Sequence, residues 1–337
     1  MNKWYEVTEN AHDVVISSRV RLARNLEEFP FTSKLDHDTS TVVVQKLREA
    51  LGKLGTQVNE TSMNDTTVNK QLLVEDHIIS PDFCKENILE KVLFTDNNGT
   101  LAIMANEEDH IRIQSIYPGL QLDKAYETAS SADDCISANL PIAFDETLGY
   151  LTACPTNLGT GLRASVMLHL PAMCAYGYIK NLTSLMTKIG LTVRGIYGEG
   201  SEGTACMYQL SNQVTLGISE EDAMEKLKNA VNQIIAKERE LRNALTAKED
   251  YDLADKLWRS YGTLKYARKL DTAEASRLIS NIRLGAVCGI ISDCKDINFT
   301  SLLFEIMPAH ITDRFSDADS SQKRDIYRAS LIRERLA

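Results

Sequence analysis

Arginines spaced along candidate strands are the feature of this 337-residue chain most suited to chemistry. The run Ser-Ser-Arg-Val-Arg at residues 17–21 would, if extended, place its two arginines on one face of a strand. Arg112, Arg163 and Arg194 lie in further candidate strands. Because arginine keeps its charge, a half-buried arginine face needs anions, and one bound polyanion would satisfy several arginines at once. Solvated arginines, or arginines paired with the chain's carboxylates, fit the spacing equally well.

Two adjacent glutamates and one cysteine are the other reactive candidates. Glu107 and Glu108 occupy a tight turn between two candidate strands, and their repulsion predicts a raised pKa for one of them unless a cation lies between. A guanidinium would match either carboxylate with its fork of donors. Cys154 ends a candidate strand, and nearby arginines would favour its thiolate. An exposed acidic turn and a buried core cysteine are the purely structural alternatives.

The composition excludes several classes of protein. Lys and Arg number 37 against 47 Asp and Glu, and the net charge of −10 argues against non-specific nucleic-acid binding. With 43% hydrophobic and 25% charged residues, a wholly disordered or coiled-coil chain is excluded. Neither a P-loop nor the HRD and DFG motifs of ordinary protein kinases occur. The seven cysteines form no CxxC pair, and no targeting or membrane segment is recognised, so we expect a cytoplasmic protein without a zinc site.

The hydrophobic pattern predicts an α+β fold, a largely antiparallel β-sheet flanked by helices and followed by an all-α C-terminal domain. Ser219 and the acidic residues after it are typical of a helix start. We expect a first domain at residues 1–245 and a helical domain at 246–337. Strands are predicted at residues 13–24, 101–105, 111–116, 148–153, 164–170, 191–197, 205–210 and 213–216, helices at 38–54, 121–138 and 172–189, and a loop at 56–70.

Four stretches in chain order resemble motifs of the phosphagen (guanidino) kinases: Ser-Ser-Arg-Val-Arg at 17–21, Asn-Glu-Glu-Asp-His-Ile-Arg at 106–112, Cys-Pro-Thr-Asn-Leu-Gly-Thr at 154–160 and Arg-Gly-Ile-Tyr-Gly-Glu at 194–199. The resemblance spans about residues 14–245. That family carries a small helical domain before the first motif, whereas only 16 residues precede it here, and a helical region follows the last motif. Both departures favour the branch of the family whose acceptors are arginine side chains of bacterial proteins.

The resemblance assigns roles to individual residues. It implies that Glu107, Glu108 and Cys154 hold the acceptor guanidinium, with Glu202 a weaker candidate in a substrate loop. Tyr197 stands where the family has an arginine, and Arg194 is the nearest substitute; His77 could equally be a core histidine. The implied ATP-binding residues are Ser17, Ser18, Arg19, Val20, Arg21, His77, Arg112, Arg163, Ala164, Ser165, Val166, Met167, Arg194, Gly195, Ile196, Tyr197, Gly198 and Glu199.

The mechanism implied by the resemblance needs ATP with Mg²⁺ held mainly by the ATP phosphates, and no dedicated metal site in the protein. Glu108, with Glu107, would orient the guanidinium and take its proton while the arginines stabilise the phosphoryl group.

A second motif lies near the C-terminus. Arg324-Asp325-Ile326-Tyr327-Arg328-Ala329 resembles the phosphoarginine-binding RDxxRA motif, an allosteric site. On a helix the two arginines would share a face and grip a phosphate, while Asp325 pairs with the guanidinium. A solvated charged helix is the alternative.

The expected function is therefore ATP-dependent phosphorylation of arginine residues in proteins, in the bacterial stress response and protein quality control. A kinase for free arginine or another small guanidino compound, and an inactive phosphoarginine-binding adaptor, are the alternatives. The resemblance further implies a stress-gene repressor among the substrates, a Clp protease that reads the mark, an activator protein and a homodimer.

Overall fold

A computed structural model describes residues 3–6, 12–195, 204–247, 251–294 and 296–337. Its strands are β1 (Val15–Arg24), β2 (Val58–Ser62), β3 (Val92–Asp96), β4 (Leu101–Ala105), β5 (Ile111–Pro118), β6 (Phe144–Asp145), β7 (Gly149–Tyr150), β8 (Leu162–His169), β9 (Leu191–Gly195) and β10 (Met207–Asn212). Eight of them form one sheet in the order β2-β3-β4-β5-β1-β8-β10-β9, and β6 pairs with β7. β1 therefore lies between β5 and β8, in the middle of the sheet.

The helices are α1 (His37–Leu51), α2 (Lys70–Glu75), α3 (Leu122–Ser137), α4 (Pro171–Ala175), α5 (Ile179–Lys188), α6 (Glu220–Ala247), α7 (Tyr251–Tyr266), α8 (Thr272–Val287), α9 (Phe299–Glu305), α10 (Pro308–Arg314) and α11 (Ser321–Arg335). An antiparallel sheet flanked by helices, followed by a helical C-terminal region, confirms the predicted fold class. Ser219 caps α6 as predicted, because its Oγ accepts a hydrogen bond from the Asp222 N–H at 3.0 Å.

Two compact units divide the chain by packing. The first contains Met1–Val7, Ser17–Val166 and Ser211–Lys228, and the second contains the rest. In the first unit α1 and α3 pack on β4 and β5, and their apolar faces bury side chains such as Val43 and Ala125. In the second unit α7, α8 and α11 pack together around Leu257, Ile279 and Ile332.

Most predicted elements are present, but four predictions were wrong in detail. The polar stretch 56–70, predicted to be a loop, contains the edge strand β2. This strand pairs with β3 through its backbone, and its side chains are exposed or only partly buried, so it lacks the apolar pattern of a core strand. The strand predicted at 148–153 shrinks to β7, and none forms at 213–216. Residues 172–189 form two helices, because Gly177, at φ +70°, ends the first.

Candidate active site

Arginines from three neighbouring strands lie together on the sheet. β1 supplies Arg19 and Arg21, both half-buried. In the register of β1 with β5, Arg112 is aligned with Ala23, which lies two residues along the same face from Arg21. β8, on the other side of β1, supplies Arg163. The alternation read from the sequence thus places the four arginines around the central strand.

The guanidinium groups of this arginine face (Arg19, Arg21, Arg112 and Arg163) repel one another. Burial lowers the pKa of Arg19 to about 10, and repulsion from Arg163 and Arg112 contributes. Burial and the same kind of repulsion, first from Arg19, hold the pKa of Arg21 well below its ordinary value. Among the described residues the Nε of Arg21 is buried without a hydrogen-bond partner. Such a face favours a bound anion, which would supply acceptors and restore the ordinary pKa values.

His77 is held beside the arginine face by a residue that the sequence reasoning missed. The Gln114 side chain on β5 donates hydrogen bonds to the carbonyl oxygens of His77 at 2.7 Å and Ile78 at 3.0 Å. These bonds support the left-handed backbone of His77, whose φ is +59°. Burial, then Arg19, lowers the pKa of His77 to about 3, so its imidazole is neutral. Gln114 could have been found from its position, since it lies two residues after Arg112 and so on the same face of β5.

Glu107 is the fully engaged member of the acidic pair. Its side chain is only 3% exposed, and its Oε1 accepts hydrogen bonds from Ser80 Oγ at 2.5 Å and Arg112 Nη1 at 2.7 Å. Its Oε2 accepts from the backbone N–H of Glu108 at 3.0 Å. With both oxygens occupied, Glu107 is suited to orienting its neighbours.

Glu108 is the available member of the pair. Its side chain is 45% exposed, and Arg112 Nη2 lies 3.6 Å from its Oε2. Partial burial raises the pKa of Glu108, Asp109 and Glu107 add to the rise, and Arg112 opposes it. A reachable carboxylate with a raised pKa has the properties of a general base.

Cys154 lies on an accessible loop, not in the core. Its Sγ is 3.0 Å from Thr156 Oγ1, and its carbonyl oxygen accepts from Thr152 Oγ1 at 2.8 Å. The loop returns to β8 through Gly161, whose φ is +62°. A Cβ there would lie 2.7 Å from the carbonyl oxygen of Ala23, so only glycine allows this close approach.

One cavity joins the arginine face to the carboxylate of Glu108. It has a volume of about 110 Å³, and its walls include Arg21, Arg112, Arg163, Glu108, Thr156 and Asn157. The structure therefore brings predicted phosphate-binding and guanidinium-binding groups to a single space within the first unit.

Arg24 is a second residue that sequence reasoning missed. It is buried, and its Nη2 and Nε contact the Asp133 carboxylate at 2.6 to 3.1 Å. Its Nη1 donates to the carbonyl oxygen of Thr160 at 3.0 Å, and its guanidinium lies 3.5 Å from the ring centre of Tyr150. Arg24 thus ties the loop after Cys154 to α3.

Several predicted nucleotide residues present no free side chain to the arginine face. Ser18 accepts from Gln121 N–H and donates to the Gly119 carbonyl, on the face that buries Val20. Ser17 and the β8 residues Ala164, Ser165 and Val166 are also buried. Met167, Arg194 and Gly195 belong to the second unit, where Arg194 is exposed at the end of β9. Ile196, Tyr197, Gly198, Glu199 and Glu202 lie outside the described residues.

The C-terminal motif lies on α11 with its two arginines in different environments. Arg328 is 1% exposed; its Nε donates to the Ile306 carbonyl at 2.7 Å, and its Nη1 to the Leu270 carbonyl at 2.9 Å and Asp325 Oδ1 at 2.7 Å. Arg324 is only partly buried. Around them Ile326 is exposed, Ala329 is buried, and the Tyr327 ring stacks on Phe315 at 4.5 Å. A joint grip on a phosphate by the two arginines stays a prediction.

Two family models match the chain. Residues 41–241 match the ATP:guanido phosphotransferase C-terminal catalytic domain, and residues 250–337 match the protein-arginine kinase McsB C-terminal domain.

Among the described residues, no helix is both long and apolar enough to cross a membrane.

Curated proteins give full-length matches. The chain is 43% identical to a protein-arginine kinase of Halothermothrix orenii, covering 100% of this chain and 97% of the relative. It is likewise 43% identical to a protein-arginine kinase of Desulforamulus reducens, covering 99% and 95%.

Solved structures align with nearly three quarters of the chain. The substrate-free duplicated taurocyamine kinase from Schistosoma mansoni aligns with a TM-score of 0.61 and 28% identity, over 72% of this chain and 37% of that one. Lombricine kinase aligns with a TM-score of 0.60 and 24% identity, over 73% and 71%, which is a likeness of fold.

Proposed function

The chain belongs to the ATP:guanido phosphotransferases and, within them, to the protein-arginine kinases, and from this premise we propose which of its residues carry the reaction. The arginine face binds the phosphates of ATP. Glu108 is the general base, Glu107 orients the acceptor, and Cys154 lines the acceptor site. The observation that carries the proposal is the cavity shared by Glu108 and three arginines of that face.

The charge balance of the site fits a nucleotide polyphosphate. Arg19, Arg21, Arg112 and Arg163 bring four positive charges together, and Arg112 contacts both carboxylates of the acidic pair. A triphosphate supplies the missing negative charge. The same donors would stabilise the γ-phosphoryl group as its charge spreads in the transition state.

The phosphoryl transfer balances with the groups present. A nitrogen of the acceptor guanidinium forms a bond to the γ-phosphorus, and the bond from that phosphorus to the bridging oxygen of ADP breaks. The acceptor proton passes to Glu108, which the raised pKa makes a better base than an ordinary glutamate. Glu107 cannot readily serve instead, because its two oxygens already accept three hydrogen bonds.

Magnesium enters the proposal with the nucleotide. No group of three or more His, Cys, Asp or Glu side chains suited to a metal ion occurs in the described part of the chain. We propose, from the family relationship, that Mg²⁺ is coordinated mainly by ATP oxygens. When bound, Mg²⁺ would neutralise phosphate charge.

Other features of the proposal rest on the family relationship. We place the catalytic domain at residues 1–245 and the helical domain at 246–337, supported by family matches that end at 241 and begin at 250. Phosphoarginine binding at α11, a homodimer, a cytoplasmic location, a stress-gene repressor as substrate, an activator and a Clp protease partner belong to the same proposal. Light scattering of the purified chain tests the dimer, and mass spectrometry of its protein substrates without acid treatment tests the targets.

The assignment of the base is tested with Glu108→Gln. This variant keeps the size of the side chain and loses its charge and its ability to take a proton. We expect a fall of at least ~100-fold in phosphoryl transfer to a protein acceptor, the usual contribution of a positioned base. Calorimetry with Mg-ATP should show nucleotide affinity close to wild type.

Glu146→Gln is the matched control, since Glu146 is exposed in the turn between β6 and β7. It should retain full activity. Near-normal turnover of the Glu108→Gln enzyme would reduce Glu108 to a structural turn residue, although the family membership would stand.

A further inference from the structure

Asp109 connects the acidic turn to the segment that carries Cys154. It follows Glu108 directly, and its side chain is buried, with the residue 1% exposed. Its Oδ1 accepts two hydrogen bonds, from Asn25 Nδ2 at 2.6 Å and from the backbone N–H of Ala153 at 2.7 Å. Ala153 immediately precedes Cys154, so one carboxylate oxygen contacts the backbone next to the thiol.

Asn25 completes this bridge from the end of β1. Its Nδ2 also donates to the carbonyl oxygen of Leu151 at 3.0 Å, and its Oδ1 accepts from the backbone N–H of His110 at 2.9 Å. The amide of one buried side chain therefore contacts both the acidic turn and the Cys154 segment. We call Asn25 and Asp109 together the buried bridge.

The Cys154 segment has little other support from the sheet. Residues 151–154 belong to no strand. The other hydrogen bonds to their backbone within the described part of the chain run from the Leu151 N–H to the Ala143 carbonyl at 3.0 Å, and to the Cys154 carbonyl from the Thr152 hydroxyl at 2.8 Å and the Asn157 N–H at 3.0 Å. The acidic turn, in contrast, is fixed on its own side by Asn106, whose amide donates to the carbonyls of Ser40 and Glu90. The bridge is thus the hydrogen-bonded link from a fixed turn to a segment that lacks a ladder.

We propose that Asp109 is a positioning residue that sets the place of the Cys154 thiol relative to the Glu107–Glu108 carboxylates, and so the geometry of the acceptor-guanidinium site. The inference rests on the proposed roles of Glu108 and Cys154. Its consequence is kinetic, because a displacement of about 1 Å in a reacting assembly can cost about 100-fold in rate.

Asp109 also acts on Glu108 through its negative charge, and substitutions can separate this effect from its hydrogen bonds to Asn25 and Ala153. Its Oδ2 is buried with no hydrogen-bond partner among the described residues. The carboxylate is one of the causes, after burial, that raise the pKa of Glu108. Asp109→Asn keeps an acceptor oxygen and loses the charge, whereas Asp109→Ala loses both.

The first experiment measures the thiol and needs no turnover. Each full-length variant is treated with iodoacetamide, and the alkylation rate of every cysteine is followed by peptide mass spectrometry. In Asp109→Ala we expect the rate at Cys154 to change several-fold while the rate at the half-buried Cys135 stays constant. In Asp109→Asn the alkylation rate at Cys154 should equal that of the wild type or lie between the rates of the wild type and Asp109→Ala.

The matched control is Asp145→Ala. Asp145 Oδ1 also accepts two backbone N–H groups, from Thr147 and Leu148 at 2.8 Å, but within an exposed turn. This variant should leave both Cys154 alkylation and turnover unchanged. If Asp109→Ala proves too unstable to purify, Asn25→Ser removes the other half of the bridge and should alter Cys154 alkylation in the same way.

The second experiment measures turnover in a double-mutant cycle with Cys154→Ala. Asp109→Ala should lower kcat about 10- to 100-fold with nucleotide affinity retained, and clearly less when Cys154 is already absent. Asp109→Asn should move the acid limb of the pH–rate profile to lower pH. A folded Asp109→Ala or Asn25→Ser variant whose Cys154 alkylation matches that of Asp145→Ala overturns the proposal. If only the role of Cys154 is wrong, Cys154→Ala keeps full activity while the alkylation result still holds.

Discussion

Arg21 and Arg328 are both enclosed arginines, but their surroundings differ in kind. Arg328 on α11 donates to two backbone carbonyls and to Asp325, so its hydrogen bonds are made within the fold. Arg21 on β1 has a buried Nε without a partner among the described residues, and burial, then repulsion from three other arginines, lowers its pKa. Burial alone therefore does not identify a functional arginine. A structural arginine donates its hydrogen bonds to groups of the fold, whereas an arginine suited to a ligand keeps donors that the fold does not use.

The comparison also separates the two arginines of the α11 motif. Arg328 joins α11 to the end of α9 and to the residue two before α8, through Ile306 and Leu270. Arg324 is partly buried and lies one turn away. In place of a joint grip by both arginines, we propose that Arg328 supports the framework of a phosphoarginine site on α11 and that Arg324 makes the direct contact.

The largest expected effect is on stability. Arg328→Ala leaves two buried carbonyl oxygens and the partly buried Asp325 without their donor, which should lower the free energy of unfolding by about 3–5 kcal/mol, the range for breaking a buried ion pair. Thermal or urea unfolding should show this loss, and Arg324→Ala should unfold close to wild type. Equal stability of the two variants would break the distinction between a framework arginine and a contact arginine.

The arginine face predicts the opposite behaviour. Arg163→Ala should weaken Mg-ATP binding about 10- to 100-fold, since a charge-assisted hydrogen bond contributes about 1.5–3 kcal/mol. The stability of this variant should change less than that of Arg328→Ala, because Arg163 lines the cavity and its Nη2 donates a long hydrogen bond of 3.4 Å to Ser211. Calorimetry gives the affinity, with Arg259→Ala on the exposed face of α7 as control. Unchanged nucleotide affinity and turnover would show that Arg163 is a solvated strand residue that does not bind ATP.

A smaller effect is expected at α11. Arg324→Ala should weaken phosphoarginine binding to the full-length protein about 10-fold, as expected for losing one charge-assisted contact, and leave Mg-ATP binding intact. Lys323→Ala, on the neighbouring exposed position, is the control. If phosphoarginine changes the kinase rate of the wild type and of Arg324→Ala equally, this motif is not the regulatory site.

The smallest effect is a shift of a pH profile. Since the pKa of Glu108 is raised above its ordinary 4.5, activity should fall with decreasing pH at a value above 4.5 as the base becomes protonated. Arg112 lowers the pKa of Glu108, so Arg112→Ala should move this limb to higher pH. ADP release measured across the pH range avoids the acid-labile product. A limb that moves to lower pH would show that Arg112 does not act on Glu108.

The sequence predicted what depends on local periodicity. The alternation in Ser-Ser-Arg-Val-Arg correctly placed Arg19 and Arg21 on one face, because a strand repeats every two residues. It could not predict the bond from Gln114 to His77 or from Asp109 to Ala153. These partners are 37 and 44 residues apart, and only strand register and loop path bring them together. The role of Arg328 was hidden for the same reason, since its carbonyl partners, Ile306 and Leu270, lie 22 and 58 residues away in connections outside α11.

Arg112 has a thermodynamic consequence for the order in which substrates bind. In this structure its guanidinium contacts both Glu107 and Glu108, the groups proposed to receive the guanidinium of the acceptor. A phosphate that draws Arg112 toward itself would therefore release the carboxylates, and each ligand would strengthen the binding of the other by the same factor. This synergy would be measured as the ratio of Mg-ATP affinities with and without acceptor, and it should disappear in Arg112→Ala. The enzyme would then discourage an acceptor arginine from occupying the site before the nucleotide arrives.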